Sequence, residues 1–154
     1  MSHNTPLVHL APSDGKSLGI GRFGFTFKAG VAVGSGYAIA EVSAPPGAVN
    51  APHRHPCEET MYVLEGEFEM SGEDGEKRRM GPGAVVHVPP NAVHGFVSVG
   101  ETTGRLLLVA PAAQESLFDD LSEAMTSLVP GPAVAAVFAR HHVVTGLGSG
   151  AGAK

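Results

Sequence analysis

Gly47-Ala48-Val49-Asn50-Ala51-Pro52-His53-Arg54-His55-Pro56-Cys57-Glu58-Glu59-Thr60-Met61-Tyr62-Val63-Leu64-Glu65-Gly66 is the stretch on which the reading of this chain turns. Alternate residues of a β-strand point to the same face, so His53 and His55 are predicted to project side by side. Pro56 breaks the ladder, and Tyr62-Val63-Leu64 reads as the next strand, which brings Glu59 back to that face. His94 stands in a second stretch of strand character. Three imidazoles and one carboxylate in this pattern read as a single metal site.

The rest of the chain bounds what surrounds that site. Its 154 residues suit one domain with a real core. Lys and Arg number 10 against 15 Asp and Glu, without a basic cluster, which argues against nucleic acid and for a small-molecule substrate. No apolar run reaches the ~18 residues of a membrane span, and Met1-Ser2-His3-Asn4 lacks a signal pattern, so no membrane association and a cytoplasmic location are expected. The one cysteine, Cys57, precludes an internal disulfide and a thiolate zinc site, and reads as a small half-buried side chain in a turn.

Residues 1–18 carry prolines and polar groups without a period and are expected to form a loose N-terminal arm. A β-barrel domain is predicted over 19–112, where short runs such as Phe23-Gly24-Phe25-Thr26-Phe27 and Tyr37 to Val42 are punctuated by Gly and Pro. Many short strands at this spacing indicate an all-β antiparallel barrel or sandwich. A helical extension is predicted over 113–145: one helix over Ser116–Met125, ending before Pro130, and a second from Pro132 at its first position to about Arg140. The Gly-rich segment 146–154 is expected to be a disordered tail.

Gly47, His53, His55, Glu59 and Gly66, followed by Gly83, Pro89 and His94, resemble the two signature motifs of the cupin superfamily. The stretch from His53 through Tyr62-Val63-Leu64-Glu65-Gly66-Glu67, with Leu106-Leu107-Leu108 and Pro111 further on, is similar to single-domain cupins of the quercetin-2,3-dioxygenase-like group. The resemblance implies a double-stranded β-helix, or jelly-roll, barrel. Two positions depart from the pattern: Asn91 stands where a glycine is usual and Ser98 where an asparagine is. Asn tolerates positive φ better than most residues, so Pro90-Asn91 is predicted to make the turn that aims His94 inward.

One divalent transition metal per chain is therefore expected, on His53, His55, Glu59 and His94. Neutral imidazoles with one carboxylate suit Fe, Mn, Ni, Cu or Zn better than Ca or Mg, and four protein ligands leave positions open for water, O₂ or a chelating substrate. By the resemblance, Glu59 also serves as the catalytic base. Met61 and Val63 share parity with Glu59, and Phe96 with His94, so these three are expected to line an apolar substrate pocket. His87 is included as a candidate contact, although its strand does not say which face looks inward. His3, His9, His141 and His142 are expected at the surface.

The resemblance implies a dioxygenase-type oxidoreductase acting on a small aromatic or enol-type substrate. Two other readings stay open: a metal-dependent isomerase, cyclase or lyase of a small carbonyl compound, and a non-enzymatic binding module. Fold likeness does not choose among them. Exposed barrel edges, with the alternation of Phe23, Phe25 and Phe27, predict a homodimer.

Overall fold

The computed structural model describes residues 6–147. Where bulky residues alternate with small or polar ones the chain runs as strands with every second side chain buried, most regularly along Gly104–Pro111. In chain order the strands are β1 (Lys16–Ile20), β2 (Phe23–Ala29), β3 (Tyr37–Ala44), β4 (Val49–His53) and β5 (Glu59–Glu65). They continue as β6 (Phe68–Gly72), β7 (Lys77–Met80), β8 (Val85–Val88), β9 (His94–Ser98) and β10 (Gly104–Pro111). A 3₁₀ turn over Ala112–Gln114 leads into α1 (Glu115–Met125), and α2 (Pro130–Arg140) follows.

The strands form two antiparallel sheets, one in the order β1-β2-β3-β10-β5-β8 and one in the order β4-β9-β6-β7. Their facing sides enclose the core, with Phe25, Phe27, Met61, Val63, Leu106 and Leu108 from the larger sheet meeting Phe68, Met70 and Phe96 from the smaller. On β3 the inward residues Ala38, Ala40, Val42 and Ala44 are small, which leaves room beneath the sheet for the phenylalanines. Phe68 is completely buried and packs edge to face with Phe96, ring centroids 5.9 Å apart. Phe68→Ala should therefore lower unfolding stability by about 3–5 kcal/mol, measurable as a lower midpoint in urea. A loss within ~1 kcal/mol would mean that the space between the sheets closes around the smaller side chain.

Several expectations change here. The N-terminal arm is shorter than residues 1–18, because Lys16-Ser17-Leu18 belongs to β1 and pairs with β2. Phe23, Phe25 and Phe27 do not mark an open edge: β2 lies between β1 and β3, Phe25 and Phe27 are buried, and both pack against Phe118 of α1. Their alternation is thus explained within one chain and gives no reason for a dimer. The second helix begins at Pro130, two residues before the predicted start, since a proline in the first turn lacks only an N–H that has no helical partner. Of the expected tail, all beyond Leu147 lies outside the described residues, as does His3. No helix among the described residues is long and apolar enough to cross a membrane.

Candidate metal centre

His53 closes β4 and His94 opens β9, and the two stand opposite each other in the antiparallel register. Their backbones approach closely because Gly95 has no side chain: a Cβ there would come within 2.8 Å of Asn50 O and 2.9 Å of the Pro52 nitrogen. The regular strand ends at His53, so His55 is not the strand residue that the alternation predicts. The extended path nevertheless continues, because Arg54 exchanges two backbone hydrogen bonds with Val144: Arg54 N–H to Val144 O at 3.0 Å, and Val144 N–H to Arg54 O at 2.9 Å. His55 O in turn accepts from Asn91 N–H at 2.8 Å, and Asn91 takes the left-handed turn expected of it, with φ 63°. Glu59 enters from the first position of β5.

Each imidazole is fixed through the same nitrogen. His53 Nδ1 meets Ala51 O at 2.8 Å, His55 Nδ1 meets Cys57 O at 2.9 Å, and His94 Nδ1 meets Ala92 O at 2.9 Å. A carbonyl can only accept, so Nδ1 carries the proton and donates, and Nε2 is left as the free donor atom for a cation. The converging nitrogens of the three rings lie within 4.8 Å of one another. Glu59 sits against them, Oε1 3.0 Å from His94 Nε2 and Oε2 3.6 Å from His55 Nε2. His94 Nε2 is buried, and despite its closeness to Glu59 its geometry is not that of a hydrogen bond. Convergent nitrogens fixed in this tautomer, a carboxylate, and a buried ring nitrogen without a hydrogen-bond partner fit a transition-metal ion.

The charges of the cluster follow from burial and proximity. Burial, reinforced by His94, pushes His53 down to about 4, and burial also lowers His55. For His94 burial works in the same direction, but the Glu59 carboxylate outweighs it and its pKa is raised. Burial acts to raise Glu59, yet the three imidazoles hold it below the ordinary carboxylate value. Metal-free protein should accordingly lose stability as pH falls from 6.5 towards 4, where the unfolded chain protonates His53 and the folded chain does not. His55 adds to this loss, and His94, with its raised pKa, opposes it. Thermal midpoints measured in chelator across that range would show the fall. A flat or rising midpoint would mean that His94 dominates.

The cluster opens into a cavity of about 630 Å³, inside the ~300–1,000 Å³ range of small-molecule sites. Met61 and Phe96 line it, together with Phe23, Phe118 and Phe138. Val63 does not belong to the cavity wall; it is buried in the core beside its strand partner Leu106. His87 faces away. Val88 is the inward residue at the end of β8, so His87 lies on the outer face, where Nδ1 meets Thr60 Oγ1 at 2.9 Å and the side chain is 52% exposed. His9 is exposed, and His141 lies 2.7 Å from Asp120 on α1, away from the cluster. The residue missed in the sequence is Gln114, whose buried amide donates from Nε2 to Glu59 Oε2 at 3.2 Å.

This architecture is the cupin fold. Residues 40–110 match the family model described as a cupin domain. Among solved structures, the chain is similar to the polyketide cyclase RemF from Streptomyces resistomycificus, with 27% identity, 70% of this chain and 80% of that one covered, and a TM-score of 0.62. A RmlC-like cupin from Shewanella frigidimarina matches with 24% identity, coverage of 70% and 92%, and a TM-score of 0.60. KdgF from a Halomonas species matches with 24% identity, coverage of 69% and 94%, and a TM-score of 0.59. Among curated proteins none matches the sequence significantly.

Proposed function

We propose that the protein is a metal-dependent enzyme that holds a divalent transition metal through His53, His55, His94 and Glu59. Its substrate is a small, largely apolar molecule of aromatic or enol type. The observation that carries this reading is the convergence of three Nδ1-anchored imidazoles and a carboxylate, of which His53, His55 and Glu59 line a cavity walled mostly by Phe, Leu, Val and Met. The bound ion would polarise a carbonyl or enol oxygen and stabilise the negative charge that develops there. Glu59, held below the ordinary carboxylate value, is ionised at neutral pH and able to take a proton from a carbon or hydroxyl next to that oxygen. The aromatic walls exclude water and stack on a planar substrate.

Proton transfer on such a substrate is the chemistry of cyclisation or isomerisation, and likeness to a polyketide cyclase at 27% identity supports that class. A dioxygenase reading rests on the sequence resemblance of the segment from His53 to Glu67 and shares the same site and substrate type. Oxygen consumption separates the two. Metal-loaded protein incubated with a panel of phenolic and β-diketone substrates should convert one of them without uptake of O₂. Turnover that consumes O₂ would establish the dioxygenase instead.

A further inference from the structure

Gln114 lies beyond the segment that matches the cupin domain, in the turn between β10 and α1, yet its side chain reaches the cluster. The orientation of its amide follows from chemistry. An ionised carboxylate only accepts, so the NH₂ end must face Glu59, and Nε2 donates to Oε2. The other end, Oε1, is buried without a hydrogen-bond partner, on a side chain only 4% exposed. An amide so placed is a poor choice for packing, since an apolar side chain of the same size would fill the space with nothing unpaired.

The turn that carries Gln114 is clamped on both sides. Ala112 N–H donates to Gly36 O at 3.2 Å. The neighbouring Glu115 accepts from Val31 N–H at 3.0 Å and pairs with Lys16 Nζ at 2.5 Å. Gly30 completes the clamp: its φ of 154° favours glycine, and a Cβ there would run into the Glu115 carboxylate.

We propose that Gln114 is a positioning residue for Glu59. By fixing Oε2, it turns Oε1 toward the histidine cluster and divides the work of the two carboxylate oxygens. The helical extension thereby contributes to the metal centre as well as to the cavity wall. This rests on the metal-binding reading above, and the test separates the two.

The full chain is stripped with chelator and titrated with Zn²⁺ as wild type, Gln114→Met, Gln114→Leu and Glu59→Ala, and as the double variant Gln114→Met/Glu59→Ala. Zinc affinity should fall about 10–100-fold in each Gln114 variant, the usual range for losing a group that orients a metal ligand. The thermal midpoint of the metal-free protein should stay level or rise, because the unpaired Oε1 is gone. In the Glu59→Ala background the Gln114→Met effect on zinc should vanish, since the effect passes through Glu59. Co²⁺-loaded protein should show a shifted visible spectrum in Gln114→Met, reporting a changed ligand arrangement. Wild type that binds no zinc overturns the metal reading itself. Wild-type binding with unchanged affinity in both Gln114 variants overturns the positioning role. So does a full-sized Gln114→Met effect in the Glu59→Ala background, and so does failure of both apolar variants to fold, which would make the amide purely structural.

Discussion

Replacing His55 by Ala should lower affinity for a divalent transition metal by more than ~100-fold. Loss of a group that merely orients a ligand already costs about 10–100-fold, and His55 is placed to bind directly. The effect should be large because the ring and its backbone are both fixed: Nδ1 meets Cys57 O, the His55 carbonyl accepts from Asn91, and the neighbouring Arg54 is bonded to Val144. The same change at His141, which pairs with Asp120 and is not part of the histidine cluster, should leave metal content unaltered. Elemental analysis of the two variants purified in parallel makes the comparison. Equal metal content would remove His55 from the ligand set.

Glu59→Gln should separate ligand from base. Gln keeps an oxygen for a metal, so affinity should fall modestly, but it has no site that takes up a proton near neutral pH, so turnover should fall by ~10² or more. His94→Gln should lower metal content and turnover together, because the proposal assigns His94 a ligand role alone. A Glu59→Gln protein with normal metal content and nearly full turnover would show that another group moves the proton.

The parts of this site that were readable in the sequence are those set by local geometry. His53, His55 and Glu59 are close along the chain, and strand alternation with a proline break brings them together. His94 joins them through the resemblance of Gly83, Pro89 and His94 to the second signature motif, and Asn91 keeps the turn before it with φ 63°. Alternation fails where its phase is not fixed by anything nearby. Val85 and His87 share a face, and the sequence does not say which way it looks; Val85 is 56% exposed and the inward residue is Val88. Val63 shows a second limit: parity gives the inner face of the sheet but not which part of that face borders the cavity. The alternation of Phe23, Phe25 and Phe27 reads as an edge because its partners are distant in sequence: Phe118 of α1 packs on Phe25 and Phe27, about ninety positions away, and Phe96 of β9 packs on Phe23. Gln114 left no periodic signal at all. Its role exists only where β10 ends over β5, a relation set by the register of Val109 with Thr60 and invisible in either segment alone.

The central claim is the metal centre, and the most direct measurement is metal stoichiometry. Protein purified without added metal, and again after chelation and reconstitution with Zn²⁺, Fe²⁺, Mn²⁺, Ni²⁺ or Cu²⁺, is analysed for bound ions, with X-ray absorption at the metal edge to identify the ligands. The account predicts one divalent ion per chain in a mixed nitrogen and oxygen shell, lost when His53, His55 or His94 is changed to Ala. Protein that stays empty after reconstitution with every one of these ions, or binds them equally well without those histidines, contradicts it.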